Sequence, residues 1–420
     1  MSLLPCGHEA PASEIRLCEH LLGAPKQAFF RLLRGVRLDY DLCCGDCGNR
    51  VKGGANIELF AACEAGVSED LDDCQWLGAP GIEEHLVSFD QNLETRQFPA
   101  LLADAKALVP FPDGRILALM GDELQIFDGQ GATILARIVL PDEEEKSSGD
   151  RRLTPRLLVS QNMQFAALVN DYGRYGAVID TAAQSVSMNL DRGDYHSEQT
   201  SFPAAFFEFG ERTLLVHGTE WNRLDVSDPR TGELISIRPS PIYESGNMPA
   251  HYLDYFHGRL QVSRDNQWIL DDGWVWSPVG IPVWWGLSRW MGENVWESED
   301  GDSRSDAIYR LYYWGVPMAW LDGERLAISG IGFDDMLAGA RIFEAQSGVE
   351  ITAFAGPDGA FFGDGKRLYT VGNDGLEIWD VESGARQGRI TGFRPNFQIE
   401  GVLVEICGSA WRSWDYSQSF

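Results

Sequence analysis

Cysteine is the residue type with the clearest chemical capacity in this sequence, and all but one of the eight cysteines lie within the first 74 residues. Cys18 and His20 are separated by one residue, and Cys44 and Cys47 are separated by two. Thiolates two residues apart in a tight turn can reach one ion, and three thiolates with one imidazole form a ligand set of tetrahedral Zn²⁺. We therefore expect these four residues to bind one structural zinc ion, with no open coordination position for catalysis.

Other residues leave the ligand set open. Cys43 directly precedes the Cys-x-x-Cys pair, so the register of that pair is ambiguous. The same cysteines could instead be reduced thiols without a metal, or they could include a redox-active or catalytic cysteine. Further candidates for a second or alternative site are Cys6, His8, Cys63 and Cys74.

The segment between the two arms predicts a short helix from Pro25 to Arg34, because proline favours the first helical turn and Gly35 follows as a stop signal. Its apolar side chains Phe29, Leu32 and Leu33 would then cover the metal. The cysteine distribution further predicts two units, a cysteine-rich module at residues 1–80 and a larger unit at residues 84–420.

The cysteine-rich module resembles a known type of leader sequence. Its Cys-x-His-Leu at 18–21, followed by Tyr-Asp-Leu-x-Cys-x-x-Cys at 40–47, is similar to the zinc-ribbon-like leaders of uncharacterised bacterial proteins. The resemblance implies a small zinc-binding α+β module and no activity.

After residue 84 the sequence consists of short apolar stretches separated by turn signals such as Asp374-Gly375, a pattern typical of all-β architectures. The unit Lys366–Ile390 reads as a strand, a tight turn, a strand that ends in Trp379-Asp380, a turn and a final strand. Six further units place a comparable landmark at Phe127-Asp128, Ile179-Asp180, Leu224-Asp225, Trp276-Ser277, Phe343-Glu344 and Trp414-Asp415. Their mean spacing is close to the roughly 40–45 residues of a four-stranded propeller blade.

This repeat resembles the WD-repeat propeller family, and the resemblance rests mainly on the residues Leu376–Asp380. The resemblance implies a seven-bladed β-propeller, in which a ring of blades buries the faces that a single blade cannot. The last unit stops after its third strand, and the resemblance implies that an N-terminal strand near 85–89, within Glu84–Phe89, completes it. The alternative is an ordinary linker strand on the surface.

The net charge of −29 opposes binding to a phosphate backbone and to an anionic membrane surface. Basic residues among the cysteines, at positions 31, 34, 37, 50 and 52, make only a small local patch, so nucleic acid is disfavoured there too. No stretch approaches the roughly 20 apolar residues of a membrane span, and the start lacks a secretory pattern. We expect a cytoplasmic protein with reduced thiols.

Aromatic residues are concentrated between positions 268 and 320, which hold nine of the fourteen tryptophans and extend into the longest gap between landmarks. Tryptophan is favoured in binding hot spots, and it equally fills blade cores. The candidate partner-binding residues are Trp285, Trp290, Trp296, Tyr312 and Tyr313. The acidic run from 297 to 306 could bind calcium through carboxylates, but a solvated acidic loop is the simpler interpretation.

The sequence contains no Gly-x-Ser-x-Gly elbow, His-Glu-x-x-His helix or phosphate-binding glycine loop. We therefore expect a non-enzymatic protein-interaction scaffold that binds a protein partner, with structural zinc in its first module. The alternative is a propeller enzyme, a hydrolase or lyase, with carboxylates and a histidine around the central channel.

Overall fold

The computed structural model describes residues 14–21, 29–33, 40–52, 56–63, 75–77, 81–144, 146, 151–239, 248–276, 278–331 and 337–420. Cys6, His8 and Cys74, and the side chain of Cys63, lie outside this part of the chain. None of the described helices is long and apolar enough to cross a membrane.

The first described residues form a five-stranded sheet with one helix packed beside it. Its strands are β1 (Glu14–Cys18), β2 (Phe29–Leu33), β3 (Tyr40–Cys44), β4 (Leu59–Cys63) and β5 (Gln75–Leu77), and helix α1 (Gly45–Lys52) follows β3 directly. The strand order is β4-β1-β3-β2-β5. β1 pairs with β3 and β2 pairs with β5 in parallel, and the other two pairs are antiparallel.

The predicted helix from Pro25 to Arg34 is wrong, because Phe29–Leu33 form β2. This strand pairs in register with β3, with Phe30 opposite Cys43. Helix propensity is a weak preference, and two adjacent phenylalanines suit a pleated strand that can pair on both sides.

The described residues from 94 onward form seven antiparallel sheets, which we number along the chain. β6 (Glu94–Gln97) precedes sheet 1, which contains β7 (Ala107–Pro110), β8 (Ile116–Met120), β9 (Glu123–Phe127) and β10 (Ala132–Arg137). Sheet 2 contains β11 (Thr154–Val159), β12 (Phe165–Asp171), β13 (Tyr175–Asp180) and β14 (Ser185–Asp191). Sheet 3 contains β15 (Ala204–Phe209), β16 (Arg212–Glu220) and β17 (Arg223–Ser227).

Sheet 4 is the longest unit and carries two short helices, α2 (Leu287–Gly292) and α3 (Glu297–Asp300). Its strands are β18 (Phe256–Val262), β19 (Trp268–Val275), β20 (Val279–Gly286), β21 (Ser305–Asp306) and β22 (Arg310–Leu311). Sheet 5 contains β23 (Met318–Trp320), β24 (Arg325–Ile331), β25 (Leu337–Glu344) and β26 (Glu350–Ala355). Sheet 6 contains β27 (Ala360–Gly363), β28 (Arg367–Gly372), β29 (Gly375–Asp380) and β30 (Arg386–Thr391). Sheet 7 contains β31 (Phe397–Ile399), β32 (Val402–Cys407) and β33 (Ala410–Asp415), followed by β6.

Sheet 6 shows why the clearest repeat folds as it does. Gly375 has φ +134°, and a Cβ there would lie 2.4 Å from the carbonyl oxygen of Ile390, so only glycine fits the turn into β29. At the end of β29, Asp380 accepts hydrogen bonds from the backbone N–H and hydroxyl of Ser383. Trp379 is buried and donates to Thr370 Oγ1 at 2.9 Å. The local sequence therefore specifies both the turn and the strand end.

The landmark residues mark the end of the third strand in five of the seven sheets, and two of them are misplaced. Leu224-Asp225 lies inside β17, and Trp276 lies in the turn between the second and third strands of sheet 4. An apolar residue followed by a polar one occurs both where a strand ends and where a hairpin turns. The sequence pattern therefore does not distinguish the end of a third strand from the hairpin that precedes it.

The strand that completes sheet 7 is β6, whose Arg96 lies opposite Trp411 of β33. The predicted position near 85–89 is therefore wrong. Residues 84–87 instead follow the edge of β30, where the N–H groups of His85 and Val87 donate to the carbonyls of Arg386 and Gln387 at 3.0 Å. All four β6 residues are polar and exposed, because an outermost strand needs no apolar face, so hydrophobic patterning directed the prediction to the wrong segment.

Buried residues form clusters between successive sheets. Trp379 belongs to a cluster shared by sheets 5 and 6, and Trp414 to one shared by sheets 6 and 7. A further cluster joins sheet 7 to sheet 1 through Phe98, Ile116 and Trp411. First strands of neighbouring sheets also contact each other, in the pairs β7–β11, β11–β15, β15–β18, β18–β23 and β23–β27. The all-β class is confirmed for this part of the chain.

Candidate metal centre and aromatic surface

The structure brings Cys18, His20, Cys44 and Cys47 together, with one ligand atom of each within 4.8 Å of the others. A tetrahedral ion with metal–ligand bonds of about 2.0–2.3 Å separates its ligand atoms by about 3.3–3.8 Å. Small side-chain adjustments are therefore enough for all four to bind one ion. Three soft thiolates with one imidazole fit a zinc-type metal and do not fit calcium or magnesium, which prefer oxygen ligands.

The ligands are positioned by the ends of two neighbouring parallel strands. Cys18 ends β1 and Cys44 ends β3, and Leu17 lies opposite Leu42 across this pair. The backbone N–H of Cys44 donates to the sulfur of Cys18 at 3.3 Å, a contact of the kind that orients a thiolate towards a metal ion. His20 lies in the turn after β1, and its Nδ1 is 3.3 Å from the sulfur of Cys47 in the first turn of α1.

The three cysteine ligands are buried, whereas the His20 side chain is half exposed. Burial raises the pKa of Cys47 to about 12, and hydrogen bonds and charge from the neighbouring thiols add to this effect. Burial also opposes ionisation of Cys44, but hydrogen bonds from the backbone and thiol of Cys47 hold the pKa of Cys44 below its ordinary value. A divalent cation would stabilise all three thiolates, because its charge is the largest in the site.

Cys43 is fully buried beside the centre, but its sulfur is not among the four grouped ligand atoms. Burial, followed by the charges of Cys18 and Cys44, raises the pKa of Cys43 to about 12. Next to the centre, Arg16 donates to both carboxylate oxygens of Asp41 at 3.0 and 2.6 Å. A second site that uses Cys6, His8, Cys63 or Cys74 stays a prediction.

Two of the predicted partner-binding tryptophans belong to the core. Trp285 and Trp290 are 0% and 1% exposed and pack edge to face, 5.7 Å apart, in the cluster between sheets 3 and 4. Trp290 donates its indole N–H to the carbonyl of Val295 at 3.1 Å. Neither ring offers a face to a partner in this structure. The prediction is corrected here because α2 folds back onto its own sheet and buries both rings.

Trp296 is contacted by polar side chains of the protein itself. His251 stacks on it at 4.5 Å with an interplanar angle of 9°, and the guanidinium of Arg238 lies 5.0 Å from its centre. Tyr313 packs beside the cluster between sheets 4 and 5, whereas Tyr312 is 75% exposed. Of the five predicted residues, Tyr312 is therefore the most accessible.

The acidic run is only partly solvated. Glu297 is fully buried and accepts hydrogen bonds from the N–H and hydroxyl of Ser303, and Glu299 pairs with Arg238 at 2.6 Å. Glu299 therefore ties the segment to Arg238, which itself donates to the carbonyl of Leu224 in sheet 3, so the interpretation of a wholly solvated loop is wrong. Asp302 remains exposed and contacts Arg289.

The loops of three sheets form an aromatic surface that the sequence analysis did not identify. We define the aromatic surface as Tyr195, Trp221 and Trp276, which pack around His196 and Phe256. Tyr195 lies 5.5 Å from Trp221 and 6.5 Å from Trp276, measured between ring centres. Tyr195 is 50% exposed and Trp276 is 44% exposed. These residues come from the β14–β15, β16–β17 and β19–β20 connections, so no local spacing could have grouped them.

Buried ionisable groups next to this surface bear on the enzyme alternative. His257 Nδ1 lies 2.6 Å from Asp271, its Nε2 has no partner among the described residues, and burial raises the pKa of Asp272 to about 7. The cavity that reaches His257 measures only about 10 Å³, too small to hold more than about one water. The described residues therefore provide no substrate pocket at this pair.

No protein-family model matches the chain, and no curated protein matches it. Three solved structures with similar folds are a chain of the mitotic checkpoint complex, the hydrazine synthase of Kuenenia stuttgartiensis and the Swd1 beta-propeller domain of Myceliophteria thermophila. Their sequence identities are 13%, 15% and 14%, and their TM-scores are 0.48, 0.45 and 0.38. They cover 81%, 75% and 66% of this chain, which in turn covers 96%, 94% and 84% of theirs. At this level of likeness, no activity or partner carries over from any of them.

Proposed function

We propose that this chain is a non-enzymatic protein-interaction scaffold of the WD-propeller type, which binds a protein partner through the aromatic surface. The observation that carries the proposal is the exposure of Tyr195 and Trp276 within a contiguous group of rings. Monomeric proteins rarely leave such rings exposed together without a binding role. Aromatic anchors presented by loops on a rigid β scaffold are typical of binding hot spots.

The scaffold is proposed to be a ring of seven blades, with the domain boundary between residues 80 and 84. The cluster that joins sheet 7 to sheet 1 supports a ring, as do the clusters between the intervening sheets. The pairing of β33 with β6 supports it further, because the chain before sheet 1 then supplies the outer strand of the last sheet. Radial repetition of this kind leaves only short edges exposed.

The first module is proposed to hold one structural zinc ion through Cys18, His20, Cys44 and Cys47. An ion bound by these residues would cross-link β1, the turn after it, β3 and α1. Small modules with little apolar core commonly gain their folding stability from such a metal. The Cys₃His set leaves no open position for a substrate, which is consistent with a structural role.

The test of the scaffold proposal is partner capture by affinity purification and mass spectrometry with matched variants. Tyr195→Ala and Trp276→Ala should each weaken capture by about 2 kcal/mol, roughly thirtyfold in affinity, if these rings are hot spots. Tyr309→Ala is the control, because Tyr309 is 66% exposed and lies outside the aromatic surface. Equal recovery of the same partners by all three variants, each with a native circular dichroism spectrum, would refute the role of the aromatic surface.

A further inference from the structure

A groove of about 510 Å³ lies across one face of sheet 7. Its floor contains Val402, Val404 and Trp411, and its outer side is formed by Glu94 and Arg96 of β6. The opposite wall is the turn at Asp113-Gly114 between the first two strands of sheet 1. We call this feature the sheet 7 groove. It is separate from the aromatic surface and from the metal centre.

The groove is open because sheet 1 covers only part of the facing sheet. Phe98, Ile116 and Phe127 fill the interface next to Trp411. Beyond them, sheet 1 presents Gly114, which has φ +81° and faces Arg96 of β6. The guanidinium of Arg96 stacks 4.4 Å from the centre of the Trp411 ring and lies 3.1 Å from the position a Cβ on Gly114 would take.

Two side chains that line the groove carry hydrogen-bond donors with no acceptor in the described part of the chain. Trp411 is 3% exposed, and its indole N–H has no partner among the described residues. Arg96 stacks on the ring but makes no ion pair with any described carboxylate, although Glu94 lies two residues away on the same strand.

The carboxylates around the groove are in excess over its cations. Asp113 is neutralised by Arg115 at 2.7 Å. Asp90, Glu94 and Asp415 also line the groove, and none of them pairs with a positive side chain in the described part of the chain. With Arg96 as the single unpaired cation of the lining, the groove is negative, and the net charge of −29 has the same sign.

We propose that the sheet 7 groove binds an extended segment of a partner polypeptide that carries a lysine or arginine side chain. The guanidinium of Arg96, which lies over the Trp411 ring, is the donor for a carbonyl oxygen of that segment. Glu94, with Asp90 and Asp415, provides the negative charge that binds the cation, and Val402 contacts its methylene groups. The volume lies within the range of about 300–1,000 Å³ that ligand sites occupy.

Fluorescence anisotropy of the full chain with two labelled pentapeptides tests the proposal. The probes are acetyl-Gly-Ala-Lys-Ala-Gly-amide and the same peptide with glutamate in place of lysine. We expect the lysine peptide to bind more tightly than the glutamate peptide, with an affinity that falls as salt increases. Glu94→Gln should raise the dissociation constant of the lysine peptide about three- to tenfold, because one charge partner is lost.

Glu324→Gln is the matched control, since Glu324 is exposed and does not line the groove. Trp276→Ala should weaken neither peptide, because Trp276 does not line the groove. Equal binding of the two peptides, no binding at millimolar concentration, or equal effects of Glu94→Gln and Glu324→Gln would each overturn the proposal. Results for Trp276→Ala and Glu94→Gln separate this site from the aromatic surface.

Discussion

Replacing Trp285 or Trp276 by alanine separates core tryptophans from surface tryptophans. Trp285 is 0% exposed on β20, and Trp276 is 44% exposed in the turn that precedes the same strand. Both belong to the aromatic sequence between 268 and 320, and they are nine residues apart. We expect the buried ring to contribute to folding stability and the exposed ring mainly to binding.

The magnitudes follow from the area that each ring buries. A tryptophan buries about 200 Å² when fully enclosed, which at about 25 cal/mol/Å² corresponds to about 5 kcal/mol. Measured losses for buried tryptophan-to-alanine changes are about 3–5 kcal/mol, so Trp285→Ala should lower the free energy of unfolding by that amount. Because Trp276 is 44% exposed and so buries a little over half of its area, we expect a loss of about 1.7–2.8 kcal/mol for Trp276→Ala on the same basis.

The assay is equilibrium urea unfolding of both single variants, followed by far-ultraviolet circular dichroism at 25 °C. The midpoint of Trp285→Ala should lie clearly below that of Trp276→Ala, with similar slopes for both. Partner capture should show the reverse order at temperatures where both variants are folded. If Trp285→Ala unfolded at the same urea concentration as the unmodified chain, the burial argument for this ring would be refuted.

Three further predictions concern the metal content, the contribution of β6 to sheet 7 and the dependence of stability on pH. Protein purified without chelators should contain about one zinc per chain by elemental mass spectrometry. The double variant Cys44→Ser with Cys47→Ser should lose the zinc, whereas Cys43→Ser should retain it. Native protein purified without zinc would contradict the proposed metal site. A chain that begins at Phe98 should melt at a lower temperature and aggregate more than a chain that begins at Gln91, because loss of β6 leaves β33 as a free edge. Equal melting temperatures of the two truncated chains would show that β6 is dispensable. Burial raises the pKa of Asp272 from 3.8 to about 7, so its contribution to stability is fully present below pH 3.8 and is lost as the pH rises to about 7. Melting temperatures measured across this pH window should fall less for Asp272→Asn than for the unmodified chain. Parallel plots of melting temperature against pH for the two proteins would exclude this titration.

Part of the fold was predictable because its signals are local. The Asp374-Gly375 turn and the Asp380 strand end use contacts among residues close in sequence, so the repeat around Trp379 reads correctly. Trp276 shows the limit of this approach. Its pattern resembles a strand end, but the long strands of sheet 4 place it at a hairpin.

The cysteine arms were predictable for a similar reason. Ligands one and two residues apart can meet at one ion with almost any fold around them, and Cys18, His20, Cys44 and Cys47 are the residues that the structure groups. The helix predicted between the arms failed, because pairing with β3 determined the conformation of Phe29–Leu33. Residues within each arm could be assigned from spacing, whereas the conformation of the element between the arms depended on its pairing with the strands on both sides of it.

The sequence by itself determined the all-β class, the repeated strand–turn units and the clustering of possible metal ligands, because these depend on interactions over a few residues. The tertiary structure decided which strand completes sheet 7, which tryptophans are buried and which rings form the aromatic surface. Those outcomes depend on contacts between distant residues, such as Glu84 with Arg386 and Asp90 with Trp414. A single sequence does not specify such pairs, because burial depends on which elements pack together in three dimensions.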